Sequence, residues 1–267
     1  MAGLLHTVTN LEGVSDVLTK GIFAVDEAIR QDFLEIFPEQ VDEIATMSDK
    51  ILRCLRGSTI LLTLVDPTKK HLWVLNLDDG LVVLGSRRDA SSQSECIFDD
   101  RVLGNLAVTR DDLTVMQRQA VGDHSFKLPR IYAEKIFLNV EPGFRVPAAT
   151  ESFISRNLSP PCVSNLASVC HVDLHEQSSC NCFILMCSDG LVDVYMDDPD
   201  HVESFASLVR KWVEIVGDVV KDDIEGAMLR LLRHALGAED IDRVSCMLNV
   251  DMPVLYMDDT TVILQVL

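Results

Sequence analysis

The chain is predicted to be an α+β protein built in layers, with antiparallel strands and helices in separate groups. Three observations predict it. Two helical stripes precede any strand, and three short apolar runs then follow one another across turn residues between 59 and 85. Two amphipathic helices lie together between a buried strand at 182–187 and a last strand at 260–267. Such grouping argues for packed layers rather than alternating βαβ units. The 267 residues are read as one domain, 1–267.

In order along the chain, residues 15–37 carry Leu18, Ile22, Val25, Ile29, Phe33 and Ile36, a helical stripe that Pro38 stops. Residues 39–55 repeat the pattern with Val41, Ile44, Ile51 and Leu55. "TILLTLVD" (59–66) has no polar face and reads as a buried strand. "DPTKK" turns the chain, and "HLWVLNL" (71–77) returns. "DDG" is the next turn and "LVVLG" (81–85) the third strand of a meander. Residues 86–100 read as polar and irregular, 101–108 as a short strand or helix, and 140–175, rich in Pro, Ser and Asn, as a long surface connection. "CFILMC" (182–187) is a strand, while 201–216 and 222–237 are helices. The second of these has acidic residues in its first turn, His234 near its end and Gly237 as its stop. "TTVILQVL" (260–267) closes the chain as a strand.

Charge and cysteine use narrow the function classes. A formal net charge of −19 leaves nothing to neutralise a run of phosphates, so nucleic acid is not an expected partner. None of the eight cysteines forms a CxxC pair and several lie in apolar runs, which points to a reducing compartment rather than a disulfide framework or zinc site. His171 and His175 in "HVDLH" have the i, i+4 spacing of a helical metal pair. The segment reads as extended, so no metal is assigned there. The first residues lack the features of a signal peptide or a mitochondrial presequence, and no run reaches the length of a membrane span. The expectation is a soluble intracellular protein.

Three places set Asp at the edge of an apolar strand: Asp78-Asp79 after "LWVLNL", Asp189 after "FILMCS", and Asp258-Asp259 before "TTVILQVL". Asp is a common turn residue beside Gly, which accounts for any one of them. Three together suit a hard divalent cation, because carboxylates are the donors Mg²⁺ and Mn²⁺ prefer and strand ends hold them rigidly. Asp193, one turn past Asp189, reaches the same cluster if the chain coils after Gly190.

The literal residues go further. "FILMCSDGLVDV" resembles the strand-S-D-G-L-x-D signature of the protein phosphatase 2C (PPM-type) family. "GSTILLTLVDPTKKHLWVLNLDDG" is similar to that family's Gly-Ser-Thr strand followed by its strand-G-D-S turn. "RVLGNLAVTR" and "AVGDHSFKLP" resemble its R-L-x-G-x-L-A-V-[ST]-R-A-x-G-D segment, and "NVEPGFRVP" its A-E-P-x-V strand. "LLRHALG", "DRVSCML" and "YMDDTTVILQVL" look like the closing part of its pyruvate dehydrogenase phosphatase branch. The resemblance runs in family order over most of 57–267.

It implies a four-layer α-β-β-α sandwich with a dinuclear Mg²⁺ or Mn²⁺ site at one end. Asp189 and Asp258 match the family's metal ligands, and Asp193 and Asp79 match holders of a third, weaker ion. Gly190, Asp259, Gly122 and Asp123 match supporting positions. The implied reaction is hydrolysis of phosphoserine or phosphothreonine in a phosphoprotein by metal-activated water, with no phosphoenzyme. The branch implies a mitochondrial phosphoprotein as substrate and the matrix as location.

The family's D-G-H-G-G motif has no counterpart, because the chain's Asp-Gly pairs are Asp79-Gly80 and Asp189-Gly190. Its phosphate-gripping upstream Arg has none either. "DDLTVMQRQ" (111–119) reads as an insertion before "AVGD". The chain is therefore expected to be an amino-terminally incomplete version of the fold. Two functions stay open: a metal-dependent Ser/Thr phosphatase with impaired activity, and a catalytically inactive phosphatase-like module that binds or regulates a partner.

Overall fold

A computed structural model describes residues 11–35, 48–88, 91–98, 119–138, 160–175, 181–196, 205–238, 240–242, 244–245 and 259–267. Its elements in chain order are α1 (Leu11–Leu34), α2 (Ser48–Leu55), β1 (Gly57–Ser58), β2 (Ile60–Val65), β3 (His71–Leu77), β4 (Leu81–Arg88), β5 (Ser91–Phe98) and β6 (Val121–Gly122). Then come α3 (Arg130–Tyr132), which widens into a π-helical turn over Ala133–Phe137, β7 (Ser168–Asp173), β8 (Asn181–Cys187), α4 (Asp189–Met196), α5 (Phe205–Gly217), α6 (Ile224–Ala235) and β9 (Val262–Val266). This is the expected α+β mixture. The chain divides into two compact units, one from Met1–Ile60, Leu75–Asp78 and Arg101–Val169, the other from Leu61–Val74, Asp79–Asp100 and Cys170–Leu267.

In the second unit the four-stranded sheet β5-β4-β8-β9 is antiparallel throughout. Side chains alternate faces along a strand, and β4 and β8 use both faces. Val82, Leu84, Cys182, Ile184 and Met186 pack with Leu72 and Val74 of β3, Leu61 and Val65 of β2 and Val172 of β7. That is a sheet-on-sheet core, since β2-β3-β7 form a separate three-stranded sheet. Leu81, Val83, Phe183, Leu185 and Cys187 face the other way, into a core with Leu191 and Tyr195 of α4, Trp212 and Val213 of α5, and Ala227 and Leu231 of α6. Sheet, sheet and helices make three successive layers. The absence of a polar face in "FILMC" follows from burial on both sides.

In the first unit, Phe33, Ile51, Cys54, Leu128, Ala133, Ile136 and Phe137 form the core, with the Phe33 and Phe137 rings stacked at 4.9 Å. Two-residue β1 pairs with β6, Gly57 opposite Gly122 and Ser58 opposite Val121. Burial pushes the Cys54 thiol above its ordinary range, so it is a packing residue.

Several expectations need correction. The stretch at 86–100 is largely strand: β4 runs to Arg88 and β5 pairs with it from Val82↔Phe98 to Arg88↔Ser91, with a bulge at Val82/Val83. Its polar sequence hid an edge strand whose order comes from ladder hydrogen bonds. Within the supposed surface connection, Ser168–Asp173 is β7. Val25 is 46% exposed, and the helical line through Leu18 and Ile22 passes instead through Asp26. The final helix matches expectation closely, with Asp223 capping it by accepting from Gly226 N at 2.8 Å and Gly237 turning left-handed (φ 133°) after it. The expected element at 101–108 lies outside the described residues, as do most of the insertion and much of 140–175.

Gly85 stands directly opposite Phe183. A Cβ there would lie 2.3 Å from Phe183 Cζ. Gly85→Ala is therefore expected to destabilise the chain by about 1–3 kcal/mol through overpacking. Phe183→Leu in the same chain should recover part of that loss. A double-mutant cycle in urea checks this, and strictly additive effects would refute direct coupling.

Candidate functional site

The register of the four-stranded sheet gathers three segments at one end. Leu81, which begins β4, pairs with Cys187, which ends β8, and Cys187 pairs with Val262, which begins β9. The residues just beyond are Asp79-Gly80, Ser188-Asp189 and Asp259-Thr260-Thr261, so Asp79, Asp189 and Asp259 share this edge. Ser188 fastens two of the segments. Its N–H donates to Thr261 O (3.1 Å), its hydroxyl to Asp259 O (3.0 Å), and Thr261 N donates to the same hydroxyl (3.0 Å).

Asp189 opens α4, where a carboxylate meets the positive end of the helix. It is half-buried and its Oδ1 accepts from Gly190 N at 2.9 Å. Gly190 is buried beneath it. Asp193 lies one turn on and is exposed, on the same helix side as Asp189 by its i+4 spacing. Asp79 is half-buried in the turn before β4. Asp258 lies outside the described residues. Among those described, Asp79, Asp189 and Asp193 share an edge but do not bring three ligand oxygens within 4.8 Å of one another.

Gly122 and Asp123 belong to the first unit. Gly122 is left-handed (φ 81°), and a Cβ on it would stand 2.0 Å from Arg56 O. Asp123 is also left-handed (φ 50°), and its carboxylate fills the space above Gly57.

One cluster escaped sequence reasoning, and a second was met there only in part. The first surrounds Asp26, 2% exposed on α1. Its carboxylate accepts from Gly122 N (2.7 Å), Asn165 Nδ2 (2.7 Å) and Lys127 Nζ (2.9 and 3.0 Å), and His124 Nε2 lies 3.4 Å away. Burial alone would raise its pKa, but His124, the hydrogen bonds from Lys127 and Gly122 and the lysine charge outweigh burial and hold the carboxyl well below the ordinary carboxylate range. Burial pushes Lys127 down, and Asp26 pulls it back. A carboxylate standing in the apolar line of a helix is the signal that could have found this knot.

The second cluster joins His71, Asp173 and His175, whose ligand atoms all lie within 4.8 Å of one another. His171 Nε2 is 3.2 Å from His71 Nδ1. This is a nitrogen-rich group on β3 and β7, separate from the aspartate edge.

No family model and no curated protein matches the chain. Among solved structures it is similar to a serine-threonine phosphatase 2C from Toxoplasma gondii, at 14% identity and a TM-score of 0.44, covering 98% of this chain and 72% of that one. The likeness does not distinguish a pyruvate dehydrogenase phosphatase branch. No helix among the described residues is long and apolar enough to cross a membrane.

Asp26→Asn leaves the Lys127 charge buried without its counter-ion, and should cost about 3–5 kcal/mol of stability. Asp26→Asn/Lys127→Met should regain most of it in urea unfolding; no recovery would mean that the pair is not what the substitution breaks. Because Asp26 is depressed in the folded state, its contribution is present above its ordinary value of 3.8 and is lost as pH falls below it toward the folded-state value. Acid titration of wild type and Asp26→Asn should accordingly converge at low pH.

Proposed function

We propose that the chain is a metal-dependent protein serine/threonine phosphatase domain of the phosphatase 2C type, its chemistry placed at the aspartate edge of the four-stranded sheet. The observation that supports this is the register, which carries the S-D-G-L-x-D segment, the D-D-G turn and the segment before β9 to one end of one sheet. Three strand-edge aspartate motifs distant in sequence share one location.

Carboxylate oxygens suit Mg²⁺ or Mn²⁺. Asp189 and Asp79 would hold the ion from the two central segments, Asp258 from the third, and Asp193 from the next turn of α4. Since these side chains do not bring three ligand oxygens together among the described residues, water would have to complete the shell, as Mg²⁺ accepts readily. Such an ion, when bound, supplies a Lewis acid that acidifies water and neutralises charge on the leaving oxygen. The protein's own part is positional: the Ser188 latch fixes the spacing of two segments, and α4 turns Asp189 and Asp193 toward one side. The water oxygen bonds to phosphorus, the bond to the serine or threonine oxygen breaks, and that oxygen takes the proton. The motif likeness to the pyruvate dehydrogenase phosphatase branch makes a mitochondrial phosphoprotein the substrate to try first.

The lack of a D-G-H-G-G segment and its upstream Arg favours a second reading, a phosphatase-like binding module without turnover. The deciding measurement is Mn²⁺-dependent hydrolysis of a phosphothreonine peptide by the purified chain. The expected outcome is metal-dependent turnover that falls about 10²–10³-fold in Asp189→Ala, the scale of losing one electrostatic stabiliser. A folded chain with no turnover at saturating Mn²⁺ sinks the enzyme reading and leaves the module.

A further inference from the structure

His71 and His171 lie on neighbouring strands β3 and β7, and His175 follows two residues after β7 ends at Asp173. Leu72 and Val74 of β3 and Val172 of β7 point into the sheet-on-sheet core. Strand alternation therefore puts His71, Trp73, His171 and Asp173 on the opposite face of that sheet. The ligand atoms of His71, Asp173 and His175 all lie within 4.8 Å of one another, and His171 Nε2 lies 3.2 Å from His71 Nδ1, within hydrogen-bond reach.

The backbone beneath is tied down. The Asp66 carboxylate accepts from Thr68 N (3.0 Å), Lys70 N (2.7 Å) and His71 N (2.8 Å), and Asp66 N donates to His71 O (3.0 Å). Leu174 N donates to Lys70 O at 2.8 Å, joining the start of β3 to the end of β7. Asp173 Oδ1 accepts from His175 N at 2.9 Å and lies 2.6 Å from His175 Nδ1. Trp73 is 3% exposed and stacks on His171 at 5.0 Å, fixing that ring from behind.

We propose that His71, His175 and Asp173 form a binding site for a divalent transition-metal ion of the zinc class, clamping β3 to the end of β7, with His171 held beside His71. Two imidazoles and one carboxylate, with water in the open position, are a donor set for zinc, copper or nickel rather than for Mg²⁺. The site shares no residue with the aspartate edge and does not depend on phosphatase activity. Its sequence signal was half visible: the extended reading of "HVDLH" was right, but the ring that pairs with His171 comes from another strand, 100 residues away.

The test uses the full chain stripped with chelator. Calorimetric titration with Zn²⁺ should show one equivalent of binding that Mg²⁺ does not compete away. The affinity should fall at least about 10–100-fold in His71→Ala/His175→Ala, and measurably in Asp173→Asn. Titration with Ni²⁺ should quench Trp73 fluorescence, and Trp73→Phe should lose the quenching while still binding Zn²⁺. Wild type, and not the double variant, should melt higher with Zn²⁺. Asp189→Ala should bind Zn²⁺ normally, which keeps this result independent of the phosphatase assay. No Zn²⁺ binding by the folded wild type overturns the proposal, and so does binding unchanged in the double variant.

Discussion

The ladder between β4 and β8 is the constraint on which the second unit depends. Seven consecutive pairs, Leu81↔Cys187 to Arg87↔Asn181, place two strands side by side with both faces covered. One face joins the sheet-on-sheet core and the other the helix layer, so each strand serves two cores at once. Each large apolar side chain buried this way contributes about 1.5–3 kcal/mol. A slip of one residue would exchange every side chain between cores of different shape, which makes the register strongly specified. Gly85 under the Phe183 ring adds a local key to the same pairing.

The aspartate edge inherits its geometry from that ladder. Because Leu81, Cys187 and Val262 are aligned, the residues just beyond them are gathered at one end of the sheet. The face of the other sheet carries a different chemistry. Rings, a single carboxylate and a buried indole gather there, on backbone fastened by Asp66 and by the Lys70–Leu174 bond. Hard and borderline cations want different donors, and the two places offer them separately.

In the first unit, order comes from one buried charge. Asp26 collects donors from β6, Lys127 and Asn165, so α1 is oriented by a polar knot as well as by its apolar stripe. Lys127 also donates to Ala120 O at 2.6 Å, which ties the ammonium to the backbone beside β6. The left-handed Gly122 and Asp123 are needed here because the chain passes Arg56 and Gly57 too closely for a side chain at 122.

The sequence by itself determined the α+β composition, the doubly buried strands, the caps of α6 and the grouping of aspartates at strand edges, because each depends on local period or local turn chemistry. It did not reveal β5, since a polar edge strand is held by backbone pairing rather than by an apolar face. Nor did it reveal β6 or β7, whose partners are far along the chain. Nor did it single out Asp26, whose donors Lys127 and Asn165 come from far along the chain. Only the tertiary structure could set His71 beside His171, or align Leu81 with Cys187. A contact between residues 100 positions apart leaves no periodic trace in either segment; it exists only when the register of the sheet makes the two strands neighbours.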